Sequence, residues 1–99
     1  MIVSIKPGVR VKGLSNEILL AVLIAQSIYT ETEHSLVITS VTDGKHSAGS
    51  LHYTGDAIDL RLPAPSTRDQ IVSQLRTALG DSYDVLLEVD HIHIEYDPR

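Results

Sequence analysis

Residues 49–60 read GSLHYTGDAIDL. The stretch opens on turn residues and closes on an apolar run, Ala57 to Leu62, that reads as a strand stopped by Pro63 and Pro65. Side chains alternate along a strand, so Ile58 and Leu60 face one way while Ala57, Asp59 and Arg61 face the other. A lone carboxylate is costly to bury, and Asp59 therefore needs a partner if its face is covered. His52 stands seven positions earlier, with Gly55 between them to let the chain turn.

Outward from this strand the elements follow in mixed order. Residues 1–13 read as one or two short extended pieces broken at Pro7-Gly8. Ser15 is an N-cap for a helix to about Thr30. Ile18 to Ala25 are apolar nearly all round, which predicts a central helix buried on most sides. Ser35 to Thr42 is β-branched and reads as a strand. After Pro65, Ser66 reads as the cap of a second helix, with Asp69 as a capping-box variant at N3. Its apolar face is Ile71, Val72, Leu75, Ala78 and Leu79, and Gly80 ends it. Val85 to Leu87 and His91 to Tyr96 form a hairpin turning near Val89-Asp90, or one bent strand. The expected fold is α+β, a small and mostly antiparallel sheet covered on one face by two helices.

The chain has 99 residues, the size of one domain spanning 1–99, and no Cys, Trp or Phe. Thiolate chemistry, disulfides and Cys-type zinc sites are excluded, and the core must be aliphatic. Net charge is −5, with eight scattered Lys and Arg and no basic stripe, which argues against nucleic-acid binding. The N-terminus carries no signal-peptide pattern, and Ile18 to Ala25 is too short to span a bilayer. The expectation is a monomer, made in the cytoplasm and not inserted in a membrane.

Four of the five histidines fall in two groups, His46 and His52 in the central loop and His91 and His93 near the end. His91 and His93, two apart on a strand, share a face. His52, Asp59 and one histidine of this pair make a two-nitrogen, one-oxygen set, a common one for catalytic zinc. Such a metal lowers the pKa of its water and polarises a carbonyl, while a carboxylate takes the proton. Glu88 and Asp90 both precede the pair closely enough for that. His34 reads as a surface residue at a helix end, Asp56 as a solvated loop carboxylate, and Glu95 and Asp97 as surface charge. Asp59 also has a bland reading, pairing with Arg61 or a distant Lys.

The pattern Ser50-x-His52-x-x-Gly55-x-Ala57-x-Asp59, followed late by Asp90-His91-Ile92-His93, resembles the signature of the zinc D-Ala-D-Ala carboxypeptidases and related peptidoglycan peptidases. These group with lysostaphin-type endopeptidases and the Hedgehog signalling domain. The resemblance covers the C-terminal half of the chain and implies that fold. It implies His52, Asp59 and His93 as Zn2+ ligands, with metal-activated water attacking the scissile carbonyl. His91 would stabilise the oxyanion, and the acid before the pair would be general base. Asp90, three residues before the last ligand, and Glu88, five before it, both fit family branches; Glu88 is preferred because Asp90 falls in the turn. Family members often carry an Arg before the first ligand to hold a substrate carboxylate. Here residues 40–50 read SVTDGKHSAGS, and Lys45 or Ser50 would substitute. The implied activity is hydrolysis of peptidoglycan peptides with D-amino acids, as carboxypeptidase, dipeptidase or lysin-type endopeptidase, with release from the cytosol as a phage lysis protein would be. The alternative is a non-catalytic, zinc-stabilised binding module of the same fold; a third, a metal-free structural domain.

Overall fold

A computed structural model describes residues 3–41 and 54–98. The described elements are β1 (Val3–Ile5), α1 (Asn16–Glu31), β2 (Leu36–Ser40), β3 (Ala57–Arg61), α2 (Pro65–Leu79), β4 (Tyr83–Leu87) and β5 (His91–Tyr96). The five strands form one sheet in the order β1-β2-β3-β5-β4. β1 and β2 pair in parallel across the α1 crossover, and the other pairings are antiparallel. The fold is therefore α+β with a mixed, mostly antiparallel sheet. The final region is the hairpin, β4 against β5, rather than one bent strand.

Alternation along the strands divides the sheet into two unlike faces. Ile58 and Leu60 of β3 lie opposite Ile94 and Ile92 of β5, and Val85 of β4 lies opposite Ile94. These side chains share one buried core with Leu36 and Ile38 of β2 and the inner faces of both helices. Each such side chain, fully buried, contributes on the order of 1.5–3 kcal/mol. Asp59, His91, His93 and Glu95 occupy the alternate positions, on the face away from that core.

Helix α1 begins where expected. The Ser15 hydroxyl accepts the Ile18 N–H at 3.2 Å, satisfying one of the unpaired first-turn donors. Its burial differs from the all-round expectation. Ile18, Ala21, Val22, Ala25, Ile28 and Tyr29 are buried, at helical spacing along one face, while Leu19, Leu20 and Leu23 are 47%, 52% and 62% exposed. The sheet offers cover on one side only, so the other leucines face outward. Tyr29 reaches across the core, and its hydroxyl donates to the Arg61 carbonyl at 3.2 Å. Burial pushes the phenol pKa up, so it stays a donor.

Helix α2 starts earlier than expected. Its cap is Ala64, with Pro65 in the first turn, and no side chain of its own caps it; Ser66 and Asp69 form no capping box. Proline's fixed φ and missing N–H suit that first position. His34 supplies the acceptor instead, its Nε2 taking the Ala64 N–H at 3.2 Å. The residue assigned no role in the sequence thus links the end of α1 to the start of α2. Ile71, Val72, Leu75 and Leu79 are buried as expected, and Ala78 is exposed. Gly80 ends the helix at φ 80°. Among the described residues no helix is long and apolar enough to cross a membrane.

Two local features fix β3. Gly55 adopts φ 78°, and a Cβ there would lie 2.0 Å from the Gly13 carbonyl oxygen. The Ser15 N–H donates to the Gly55 carbonyl at 3.0 Å, tying the start of α1 to the entrance of β3. On its other side β3 meets β2 through an irregular register: Ile38 faces Leu60 but Ser40 faces Asp59. Thr39 is the extra residue at this shift, as in a β-bulge.

Candidate metal centre

The open sheet face brings together residues far apart in sequence. Asp59 of β3 and His93 of β5 are direct cross-strand partners, as are Arg61 and His91. Asp59 Oδ1 accepts from His93 Nδ1 at 2.9 Å, and the same oxygen lies 3.5 Å from His91 Nε2. The Asp59 residue is 9% exposed despite its charge. Among the described residues its ion-pair partners are these imidazoles across the ladder, not Arg61 on its own strand.

His93 lies between two carboxylates. Its Nε2 donates to Glu95 Oε1 at 2.9 Å. A carboxylate at each nitrogen favours the protonated ring, in which both nitrogens donate. The hydrogen bond to Asp59 raises the His93 pKa above its ordinary value; burial opposes this, and the Glu95 hydrogen bond adds to it. Glu95, expected as surface charge, is instead a part of the site, its side chain 21% exposed. The signal for it was the same two-residue period that joined His91 to His93, carried one step further. Asp97 is exposed, as expected.

The two candidate acids part company. Asp90 Oδ1 accepts from His91 Nδ1 at 2.6 Å, which leaves His91 Nε2 directed toward Asp59. Lys6, Thr39, Ser40, Asp59, Arg61, Asp90 and His91 line a cleft of about 530 Å³ beside the site. Glu88 is exposed and does not line that cleft; its N–H donates to the His91 carbonyl at 2.9 Å, closing the hairpin. Asp56 is a loop carboxylate accepting from the Thr54 hydroxyl at 2.9 Å. His52, Lys45 and Ser50, with His46, lie outside the described residues.

Asp59, His91 and His93 each place a ligand atom within 4.8 Å of the others, a group able to hold a metal ion. Around an ion bound tetrahedrally at 2.0–2.1 Å, neighbouring donor atoms stand roughly 3.3 Å apart. The separations of 2.9 and 3.5 Å from Asp59 Oδ1 to the two imidazoles bracket that spacing. Imidazole nitrogens with a carboxylate oxygen suit a divalent transition-metal ion. No family model matches the chain, and no curated protein sequence matches it.

Proposed function

We propose that the chain is a zinc-dependent peptidase that hydrolyses peptidoglycan peptides containing D-amino acids. The observation that carries this reading is the convergence of Asp59, His91 and His93 on the open face of the sheet. Asp59 and His93 would hold the ion, with His52 as the third ligand implied by the resemblance. Zinc bound there supplies an acidified water and a Lewis acid for the scissile carbonyl.

The chain's own residues divide the remaining work. His91, held at Nδ1 by Asp90, presents Nε2 toward the site, where it would donate to the oxyanion as charge develops. Asp90 borders the same cleft and would take the proton from the attacking water and return it to the leaving amine. The geometry thus favours Asp90 over Glu88 for that role. An acid in contact with His91 also favours a catalytic domain over a zinc-stabilised binding module.

Metal analysis of the purified protein, joined to an assay on peptides ending in D-Ala-D-Ala and on cell-wall fragments, tests the proposal. About one zinc per chain and metal-dependent hydrolysis are expected. Absence of bound zinc, or hydrolysis that survives both Asp59→Ala and His93→Ala, would sink it.

A further inference from the structure

His93 offers only two nitrogens, and both are already engaged. Nδ1 is 2.9 Å from Asp59 Oδ1 and Nε2 is 2.9 Å from Glu95 Oε1. A metal ion needs a lone pair from one of them, and the other nitrogen then carries the proton. Rotating the ring by 180° about its bond to Cβ would exchange each nitrogen for a carbon. A fixed acceptor at Nε2 prevents that exchange, because the turned ring would leave the Glu95 carboxylate facing a C–H.

Glu95 is well placed to be that acceptor. It lies two residues beyond His93 on β5, hence on the same face, and opposite Ala57 of β3. The short Ala57 side chain lets the longer glutamate fold back along its own strand. We propose that Glu95 is a positioning residue: its carboxylate holds the Nε2–H of His93 and so sets Nδ1 as the atom offered to the ion beside Asp59. The inference rests on the metal-binding part of the function proposed above. It adds a residue that the motif resemblance does not include. A carboxylate behind a ligating imidazole fixes the tautomer and strengthens the ligand, and its loss commonly weakens metal binding 10–100-fold.

The test is a zinc titration of protein labelled with 15N at histidine. It is followed by long-range 1H–15N correlation spectra of the ring nitrogens, with zinc affinity measured by chelator competition. Wild type, Glu95→Gln and Glu95→Ala are compared. In wild type, zinc should move His93 Nδ1 to a metal-bound shift while Nε2 keeps its proton. Glu95→Ala should bind zinc about 10–100-fold more weakly. Glu95→Gln, whose amide oxygen accepts the same hydrogen bond, should recover most of that loss.

Wild-type affinity and an unchanged His93 tautomer in Glu95→Ala would overturn the positioning role while leaving the metal site standing. Zinc that leaves the His93 resonances of wild type unmoved would remove the metal reading, and this proposal with it. Glu95 also stands near Asp84 and Asp97 in an all-carboxylate group. If it were itself a ligand there, Glu95→Gln would bind as weakly as Glu95→Ala, which also overturns the proposal. Should Glu95→Ala fail to fold, metallation of His93 through Nε2 in wild type or Glu95→Gln gives the same negative answer.

Discussion

Asp59 Oδ1 lies 2.9 Å from His93 Nδ1, and the two residues face each other directly across the β3–β5 ladder. Backbone pairing therefore sets this contact before any ion arrives. Without metal the pair is a charge-assisted hydrogen bond, and under the proposed function the same two atoms would become ligands. Replacing Asp59 by Ala should abolish specific zinc binding. It should also cost the metal-free protein about 1–3 kcal/mol, because His93 loses its main acceptor. Calorimetric zinc titration and urea unfolding in chelator measure the two effects separately.

Protonation of His93 gives the metal-free protein a pH dependence of definite sign. Its folded pKa is raised above 6.5, first by the hydrogen bond to Asp59 and further by that to Glu95, against the opposing effect of burial. The proton is therefore held more tightly folded than unfolded. The resulting stability is fully present below pH 6.5 and is lost as pH rises through the folded value. Urea midpoints of chelated protein should fall from pH 6 toward pH 9, and His93→Gln should flatten that part of the profile. Zinc affinity should change in the opposite sense, since binding displaces the Nδ1 proton. Heats of binding in buffers of different ionisation enthalpy report the released proton.

Asp90 and Glu88 should separate in kinetics. Asp90→Asn keeps the shape of the side chain but removes the base, and should lower turnover of a D-Ala-D-Ala peptide by about 100-fold or more. Glu88→Gln should stay within a few-fold of wild type, because its observed hydrogen bond comes from the backbone. Zinc content should be unchanged in both. Equal losses in the two variants would undo the assignment to Asp90 over Glu88, the acid that the sequence reading preferred.

The outward leucines of α1 make a prediction about stability. Leu23 is 62% exposed, so Leu23→Gln should change the unfolding free energy by no more than about 0.5 kcal/mol. Ile18, five residues earlier and fully buried, should lose about 2–5 kcal/mol on replacement by Ala. Urea denaturation of the two variants distinguishes one-sided cover of this helix from burial all round.

Local chemistry was the legible part of this sequence. The Ser15 cap, the strand around Asp59 and the shared face of His91 and His93 all follow from short-range rules of capping and alternation. What was misread depended on partners distant in the chain. The composition of α1 marks Leu19, Leu20 and Leu23 as core material, yet a single sheet covers one face. Ser66 looks like the better cap than Ala64, but Pro65 fixes the first turn and His34 arrives from thirty residues earlier to accept the Ala64 N–H. Glu95 resembles any charge near a terminus until β5 is paired and its place in the two-residue period becomes visible. The parallel pairing of β1 with β2 has no local signature at all, since it depends on how the α1 crossover closes. Sequence parity could not choose between Asp90 and Glu88 because both fall where the chain reverses.

A substitution at a residue that offers no ligand atom should show how the site is held. Gly55→Ala places a methyl 2.0 Å from the Gly13 carbonyl oxygen, at a φ of 78°. The strained backbone alone costs about 1–3 kcal/mol, and the collision adds to it. Thermal unfolding and zinc titration should both register the change. Gly8, also at positive φ but with nothing near its Cβ position, should cost only the backbone part when changed to Ala.

The Gly55–Gly13 contact has a further consequence, in the counting of residues. A slip of β3 by one position would turn Asp59 into the helix layer and Ile58 out toward the histidines. A closely fitted contact immediately upstream of the strand penalises such a slip at its origin. The N-terminal arm, through Gly13, thus acts as a phase reference for the strand that carries Asp59.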